Sequence, residues 1–141
     1  MALRLFTVLC FTALVQLLGL QITAEQSQEV PIKLSVINNI NQQPQQDYNA
    51  TAKQGGVLLG AMRRLQQNNS GFNFTGSKNP DFGFFVESVN GFTGNFSDRT
   101  FWQILSNRNG ALTPTPLGVS CYIPKAEERI VFNFTTFGAG S

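Results

Sequence analysis

Apolar and polar residues alternate from Pro31 to Asn39. Ile32, Leu34 and Val36 fall on one side, and Lys33, Ser35 and Ile37 on the other. A period of two marks a half-buried strand. The Asn- and Gln-rich stretch from Asn38 to Asp47, with Pro44, reads as a loop. Alternation resumes from Tyr48 to Lys53, with Asn49, Thr51 and Lys53 on the wet side, so the two strands are expected to form a hairpin. Gly55-Gly56 interrupts, and the period then changes. Leu58, Ala61, Met62 and Leu65 recur at helical spacing and form one stripe. A helix is therefore predicted over Val57 to Gln67, with Arg63, Arg64, Gln66 and Gln67 in solvent. The basic pair near its end suits the helix dipole. Asn68, Asn69, Ser70 and Gly71 stop it, with Gly71 expected as the left-handed cap.

Short strands follow. Phe72 to Thr75 is one, and Phe82 to Val89 is the next, with Phe82, Phe84 and Val86 alternating against Gly83, Phe85 and Glu87. Asn90-Gly91 is a turn signal, and Thr93 to Asp98 reads as a polar loop. Thr100 to Ser106 is expected as a strand around Trp102. Asn107 to Gly118, with Asn109-Gly110, Pro114 and Pro116, is expected as a long loop. Val119 to Ile123 and Arg129 to Phe137 close the series, with Glu127-Glu128 between them as a solvated turn. In the last strand Ile130, Phe132 and Phe134 oppose Val131, Asn133 and Thr135. One amphipathic helix must cover an apolar sheet face. The predicted class is α+β: a small two-layer, β-grasp-like roll with one helix on a mainly antiparallel sheet.

The beginning of the chain is read as an address. Arg4 precedes an apolar stretch from Leu5 to Leu20, and small Ala24 suits a cleavage edge, so residues 1–24 are expected to be a secretory signal peptide. That stretch is shorter than the roughly 20 residues that span a bilayer, and no membrane span is expected after signal removal. Residues 25–30 are expected as a flexible tail, 31–137 as the domain, and 138–141 as a second tail. Sequons at Asn49, Asn68, Asn73, Asn95 and Asn133 fit a secreted, extracellular glycoprotein, and each occupied one must face solvent. Cys10 leaves with the signal. Cys121 is then alone, beside Tyr122 and Ile123, and is expected to be buried and inert.

Composition narrows the chemistry. The 141 residues contain no histidine, which removes Ser-His-Asp and Cys-His catalysis and imidazole ligation of zinc, iron or cobalt. The eight Asp and Glu are scattered. Asp81, Glu87 and Asp98 carry no spacing specific to acid–base pairs, and Gly55-Gly56 lacks a phosphate-loop pattern. The chain is expected not to be an enzyme and to have no metal ligands. A net charge of +2 does not point to nucleic acid. Thirteen Phe against two Tyr and one Trp favour a large apolar core or an apolar surface for a bulky ligand.

Six segments occur in a telling order: Gly56 to Leu59, Phe72 to Phe74, Phe82 to Asn90, Phe101 to Ser106, Cys121 to Pro124, and Ile130 to Thr135. Together they resemble the C-terminal β-domain of the cobalamin carriers, the intrinsic factor, haptocorrin and transcobalamin family. The most specific pieces are Phe101-Trp102-Gln103-Ile104-Leu105-Ser106 and Tyr122-Ile123-Pro124. In that family a large helical barrel and this small domain clamp cobalamin between them.

The resemblance implies a cobalamin-binding set made of Asp81, Phe82, Gly83, Phe84, Phe85 and Val86, with Trp102, Gln103, Ile104, Leu105 and Ser106, and with Thr115, Pro116 and Leu117 of the following loop. Phe82 stands where the family has tryptophan, and the loop is longer here. Phe84 and Phe85 point to opposite faces, so one of them at most meets a ligand. By burial habits alone, Trp102 is core. Cobalamin is the implied ligand, bound without catalysis. The segment before Pro31 is too short to encode the barrel. Weaker binding than in the two-domain carriers is expected, unless a second copy or another protein closes the other face. The rival reading is a secreted interaction module that kept the fold without the ligand, its surface covered by glycans where the corrin would sit.

Overall fold

The computed structural model describes residues 28–108 and 110–138; the expected signal peptide lies outside them. Strands β1 (Glu29–Asn38) and β2 (Gln43–Lys53) form an antiparallel hairpin, followed by helix α1 (Leu58–Gln67). Then come β3 (Phe74–Asn79), β4 (Gly83–Val89), β5 (Phe92–Thr93), β6 (Thr100–Ser106), β7 (Thr113–Pro114) and β8 (Arg129–Thr136). A five-stranded sheet has the order β2-β1-β8-β6-β7, and a three-stranded sheet the order β3-β4-β5. The expected α+β class holds, with the first and last strands pairing in parallel, from Lys33 against Arg129 to Asn38 against Phe134.

One face of the large sheet carries the core. Ile32, Leu34, Val36, Ala50, Ala52, Trp102, Ile130, Phe132 and Phe134 are buried there. Leu58, Ala61, Met62 and Leu65 of α1 join the same cluster, as do Phe72, Phe74, Val86 and Val89 from the small sheet and its approach. Phe72 is the hinge of this packing. Its ring centroid lies 5.5 Å from Tyr48, 5.9 Å from Phe74 and 5.9 Å from Phe132. Such tilted pairs add to area burial.

Helix α1 starts without a side-chain cap, because Val57 has none to offer. The orphan donors of its first turn find carbonyls elsewhere: Leu58 N–H donates to Tyr122 O (2.8 Å) and Leu59 N–H to Val119 O (2.9 Å). The segment Val119 to Ile123, expected as a strand, is therefore an irregular loop spent on capping a helix. Cys121 in that loop is exposed rather than buried. At the far end of α1 both Asn69 (φ 55°) and Gly71 (φ 91°) have positive φ; Asn69, next after the C-cap Asn68, is the first of them, and Ser70 Oγ–H donates to Leu65 O. The Asn/Gln-rich stretch is mostly strand. Only 39–42 turn, and Gln43 to Asp47 pair with β1. The expected flexible tail likewise contributes Glu29 and Val30 to β1. Asn90-Gly91 forms the two-residue turn its sequence predicts, both at positive φ, and β5 follows where a loop was expected.

Phe132 is fully buried at the junction of helix, sheet and small sheet. Phe132→Ala is expected to lower unfolding free energy by about 3–5 kcal/mol. Urea denaturation followed by far-UV circular dichroism checks this.

Candidate ligand-binding site

Three segments converge at the Ser106 end of β6. The first is the β3–β4 turn. Asn79 Oδ1 accepts from Asp81 N–H (2.8 Å) and Phe82 N–H (3.1 Å), which fixes the turn and pushes Phe82 outward. Gly83 follows at φ 77° with Ser120 Oγ so close that a Cβ would clash. The second is the flap between β6 and β8. Its β7 pairs Thr113 with Ser106 and Pro114 with Leu105. Thr115 N–H then donates to Ile104 O (3.0 Å). The third is the flap's exit, where Phe84 N–H donates to Ser120 Oγ (3.1 Å). Gly118 lies against the carbonyls of Phe82 and Phe84, which brings the chain at Leu117 beside the turn. Phe82 is 81% exposed and Leu117 52% exposed.

The expected binding residues divide accordingly. Asp81, Phe82, Thr115, Pro116 and Leu117 lie on the turn and flap, with Gly83 at the join; Ile104 is half-buried, packs against the core and accepts from Thr115 N–H through its carbonyl. Phe84 packs edge-on to Phe74 (6.1 Å) with the Arg63 guanidinium 5.9 Å from its ring, whereas Phe85 points the other way and is exposed. Val86 is core. Trp102 does not present its ring to the patch. It is 5% exposed, stacks 4.8 Å from Phe134, and its indole N–H donates to Phe92 O (2.8 Å). Gln103 and Leu105 pair with Asn133 and Val131 on the opposite face of the sheet. Ser106 is buried and taken up by a charge.

That charge is the feature sequence reasoning missed. Glu128, expected in solvent, is 4% exposed. Its carboxylate accepts from Ser106 Oγ–H (2.7 Å), from the Tyr122 hydroxyl, from Lys125 N–H (3.0 Å) and from Arg108 Nε–H (3.1 Å). Arg108 also lies over the Tyr122 ring, 4.8 Å from its centroid, and donates to Ile123 O. Arg108 enters the flap and Tyr122 follows its exit, so this one carboxylate ties both ends of the flap to β6. Burial by itself would raise the Glu128 pKa. The four hydrogen bonds outweigh burial and hold it below the usual carboxylate range. Tyr122 moves up, first from burial and then from its bond to Glu128. Among the described residues, no three His, Cys, Asp or Glu side chains gather to hold a metal ion.

Known proteins share this architecture. No protein-family model matches the chain. Human cobalamin binding intrinsic factor is 36% identical over 89 residues, which is 63% of this chain and 20% of that protein. The dog protein is 36% identical over 87 residues, 62% of this chain and 20% of its own length. The chain resembles a cobalamin-carrier C-terminal domain. It spans about a fifth of the length of the curated relatives it matches. Haptocorrin, solved in complex with Cbi, superposes with a TM-score of 0.66 at 22% identity, covering 78% of this chain and 26% of that one, and shows the shared fold. A Ruminococcus gnavus structure shares the fold at a TM-score of 0.57 and 15% identity, over 76% of this chain and 97% of that one.

The depressed Glu128 pKa fixes the sign of a pH effect. Its contribution to stability is fully present above the ordinary glutamate value and is lost as pH falls through the lower folded value. Asp47, lowered chiefly by its bond from Ser35, adds an effect of the same sign. A comparison of Glu128→Gln with the parent isolates the Glu128 part. The variant is expected to lose about 2 kcal/mol at neutral pH, with the gap closing in acid, as read from denaturation midpoints across a pH series.

Proposed function

We propose that this chain is a secreted, non-catalytic glycoprotein that binds cobalamin and carries or scavenges it outside the cell. The observation that supports this reading most is the backbone approach of the flap to the β3–β4 turn, where Gly118 lies against the carbonyls of Phe82 and Phe84, with Phe82 and Leu117 both exposed. Corrin is a broad disc with apolar faces and an amide fringe. Phe82, Leu117 and Ile104 supply apolar contact, and the flap backbone and Thr115 supply polar groups. The names of the relatives support the ligand: intrinsic factor is named for cobalamin binding, and haptocorrin was solved with Cbi. With no histidine in the chain, the cobalt keeps its own axial base or water. A second copy or another protein would close the uncovered face.

The sequon positions favour this reading over a glycan-covered interaction module. Asn95 lies at the Thr100 end of β6, where its backbone N–H donates to Thr100 Oγ1, and Asn73 lies beside the Asn90 turn. Neither is on the flap or the β3–β4 turn. Asn49 and Asn68 are exposed as glycosylation requires, whereas Asn133 is only half-exposed, facing Gln103. Among the described residues no helix is long and apolar enough to cross a membrane.

The test is co-elution. Aquocobalamin mixed with the secreted chain and passed through a desalting column is expected to give corrin absorbance in the protein fraction, with no histidine-type shift in its spectrum. Leu117→Asp is expected to weaken retention about tenfold or more while circular dichroism stays unchanged. No co-elution at micromolar protein, with glycans on or off, leaves the interaction-module reading in place.

A further inference from the structure

Few groups hold the flap to the fold along its length. None of residues 110–118 is buried, and only Thr115 is half-buried. Apolar burial therefore contributes little to its attachment, and such segments open at low cost. The middle rests on the short β6–β7 ladder and on Thr115 N–H donating to Ile104 O (3.0 Å). At the exit, Val119 is 1% exposed and stays with the core. At the entrance, the Arg108 side chain is held by polar bonds, to Glu128 Oε1 (3.1 Å) and to Ile123 O.

The four groups bonded to the Glu128 carboxylate are all donors. Oε1 accepts from Arg108 Nε–H and from Lys125 N–H, and Oε2 from Ser106 Oγ–H and the Tyr122 hydroxyl. Ser106 Oγ in turn accepts from Arg108 N–H (3.1 Å), so the carboxylate also reaches the backbone of the flap entrance. The other charged groups nearby are directed elsewhere. Lys33 gives Glu128 only a backbone bond, N–H to O (3.0 Å), and the side chains of Lys33, Lys125 and Glu127 are exposed. Arg129 donates from Nε to Ser35 Oγ (3.0 Å). A proton on Oε1 would meet two N–H donors, and one on Oε2 would force a hydroxyl to turn round. Either one removes the charge that Arg108 pairs with.

We propose that Glu128 is a positioning residue that latches the flap: charged, it holds residues 110–118 against β6, and neutralised, it frees them while the core stays folded. The consequence for ligand rests on the function proposed above. Cobalamin on the patch is retained while Glu128 is charged and released in acid. The hydrogen bonds keep the Glu128 pKa below the usual carboxylate range. The latch therefore holds in mildly acidic solution and opens as pH falls through that lower value.

Backbone order parameters from nitrogen-15 relaxation test the latch without any ligand. In the parent at neutral pH the Thr115 amide is expected near the rigid value of about 0.85, falling towards the flexible range below about 0.6 in acid, while Leu34 and Val36 stay rigid. Glu128→Gln is expected to show the flexible Thr115 at neutral pH, with no further acid step. Asp47 titrates in both chains, so the difference belongs to Glu128. Should Glu128→Gln not fold, Arg108→Gln decides: loss of the cation and its bond is expected to move the acid step to higher pH. Cobalamin dissociation is expected to be about tenfold faster from Glu128→Gln at neutral pH, with association little changed. A rigid Thr115 in Glu128→Gln, the same acid profile in parent and variant, or an unmoved step in Arg108→Gln overturns the proposal. A parent that holds no cobalamin overturns the proposed function, and the order parameters still decide the latch. A parent that holds it and loses it no faster once the flap is free overturns the latch's control of the site.

Discussion

A carboxylate cannot stay charged in a protein interior without partners, and this constraint organises the Ser106 end of β6 and the flap. Glu128 meets it by gathering Ser106 from the end of β6, Arg108 from the flap entrance, Tyr122 from the flap exit and the Lys125 amide from the turn before β8. None of these can move far without leaving a buried charge underpaired. The flap's ends are therefore fixed more firmly than a loop with Pro114, Pro116 and Gly118 suggests. Its middle, held by a two-residue ladder and the Thr115 amide, keeps a looser attachment.

The same logic of unpaired groups links helix to patch. Helix α1 begins with free N–H groups, and the loop Val119 to Tyr122 supplies the carbonyls. That loop also carries Ser120, which accepts from Phe84 N–H and crowds Gly83. The core helix, flap exit and β3–β4 turn are thus one connected unit. Arg64 adds to it by donating to Thr51 O (2.9 Å), which ties the helix to β2. On the face of the sheet opposite the helix a second chain of bonds runs from Arg129 through Ser35 to Asp47, joining β8, β1 and β2.

What is legible in the sequence follows from periodicity. The alternations at Ile32, Leu34 and Val36 and at Ile130, Phe132 and Phe134, and the stripe Leu58, Ala61, Met62 and Leu65, all face the core as their spacing requires. The departures share a cause. A polar residue's own character assigns it to solvent, and its tertiary partners decide otherwise. Gln43 to Asp47 become strand because β1 offers a ladder, and Glu128 is buried because Arg108, Tyr122 and Ser106 reach it from other segments. Cys121 is exposed because its neighbours turn to cap a helix whose Val57 could not. Phe82 falls in register with Phe84 and Val86, but the Asn79 side chain pulls it into the turn and out of the strand. The resemblance names these residues together without separating Phe82 and Leu117, which face solvent, from Val86, Trp102 and Ser106, which are buried.

The shape of that patch bears on what it can do alone. Good small-molecule sites bury roughly 70–90% of their ligand. The turn and flap form an open surface with Phe82 and Leu117 exposed on it. A disc resting on such a surface keeps one face in water, so its apolar contact is about half of what a closed clamp gives. Area removed from water sets the hydrophobic contribution. The same exposed Phe82 and Leu117 are therefore costly for a solitary domain and useful to one that meets an opposing surface across a ligand. Their exposure is set by the Asn79 turn and the Glu128 anchor rather than by chance at a frayed edge, and under the proposed function it is the surface a ligand and a second jaw would cover.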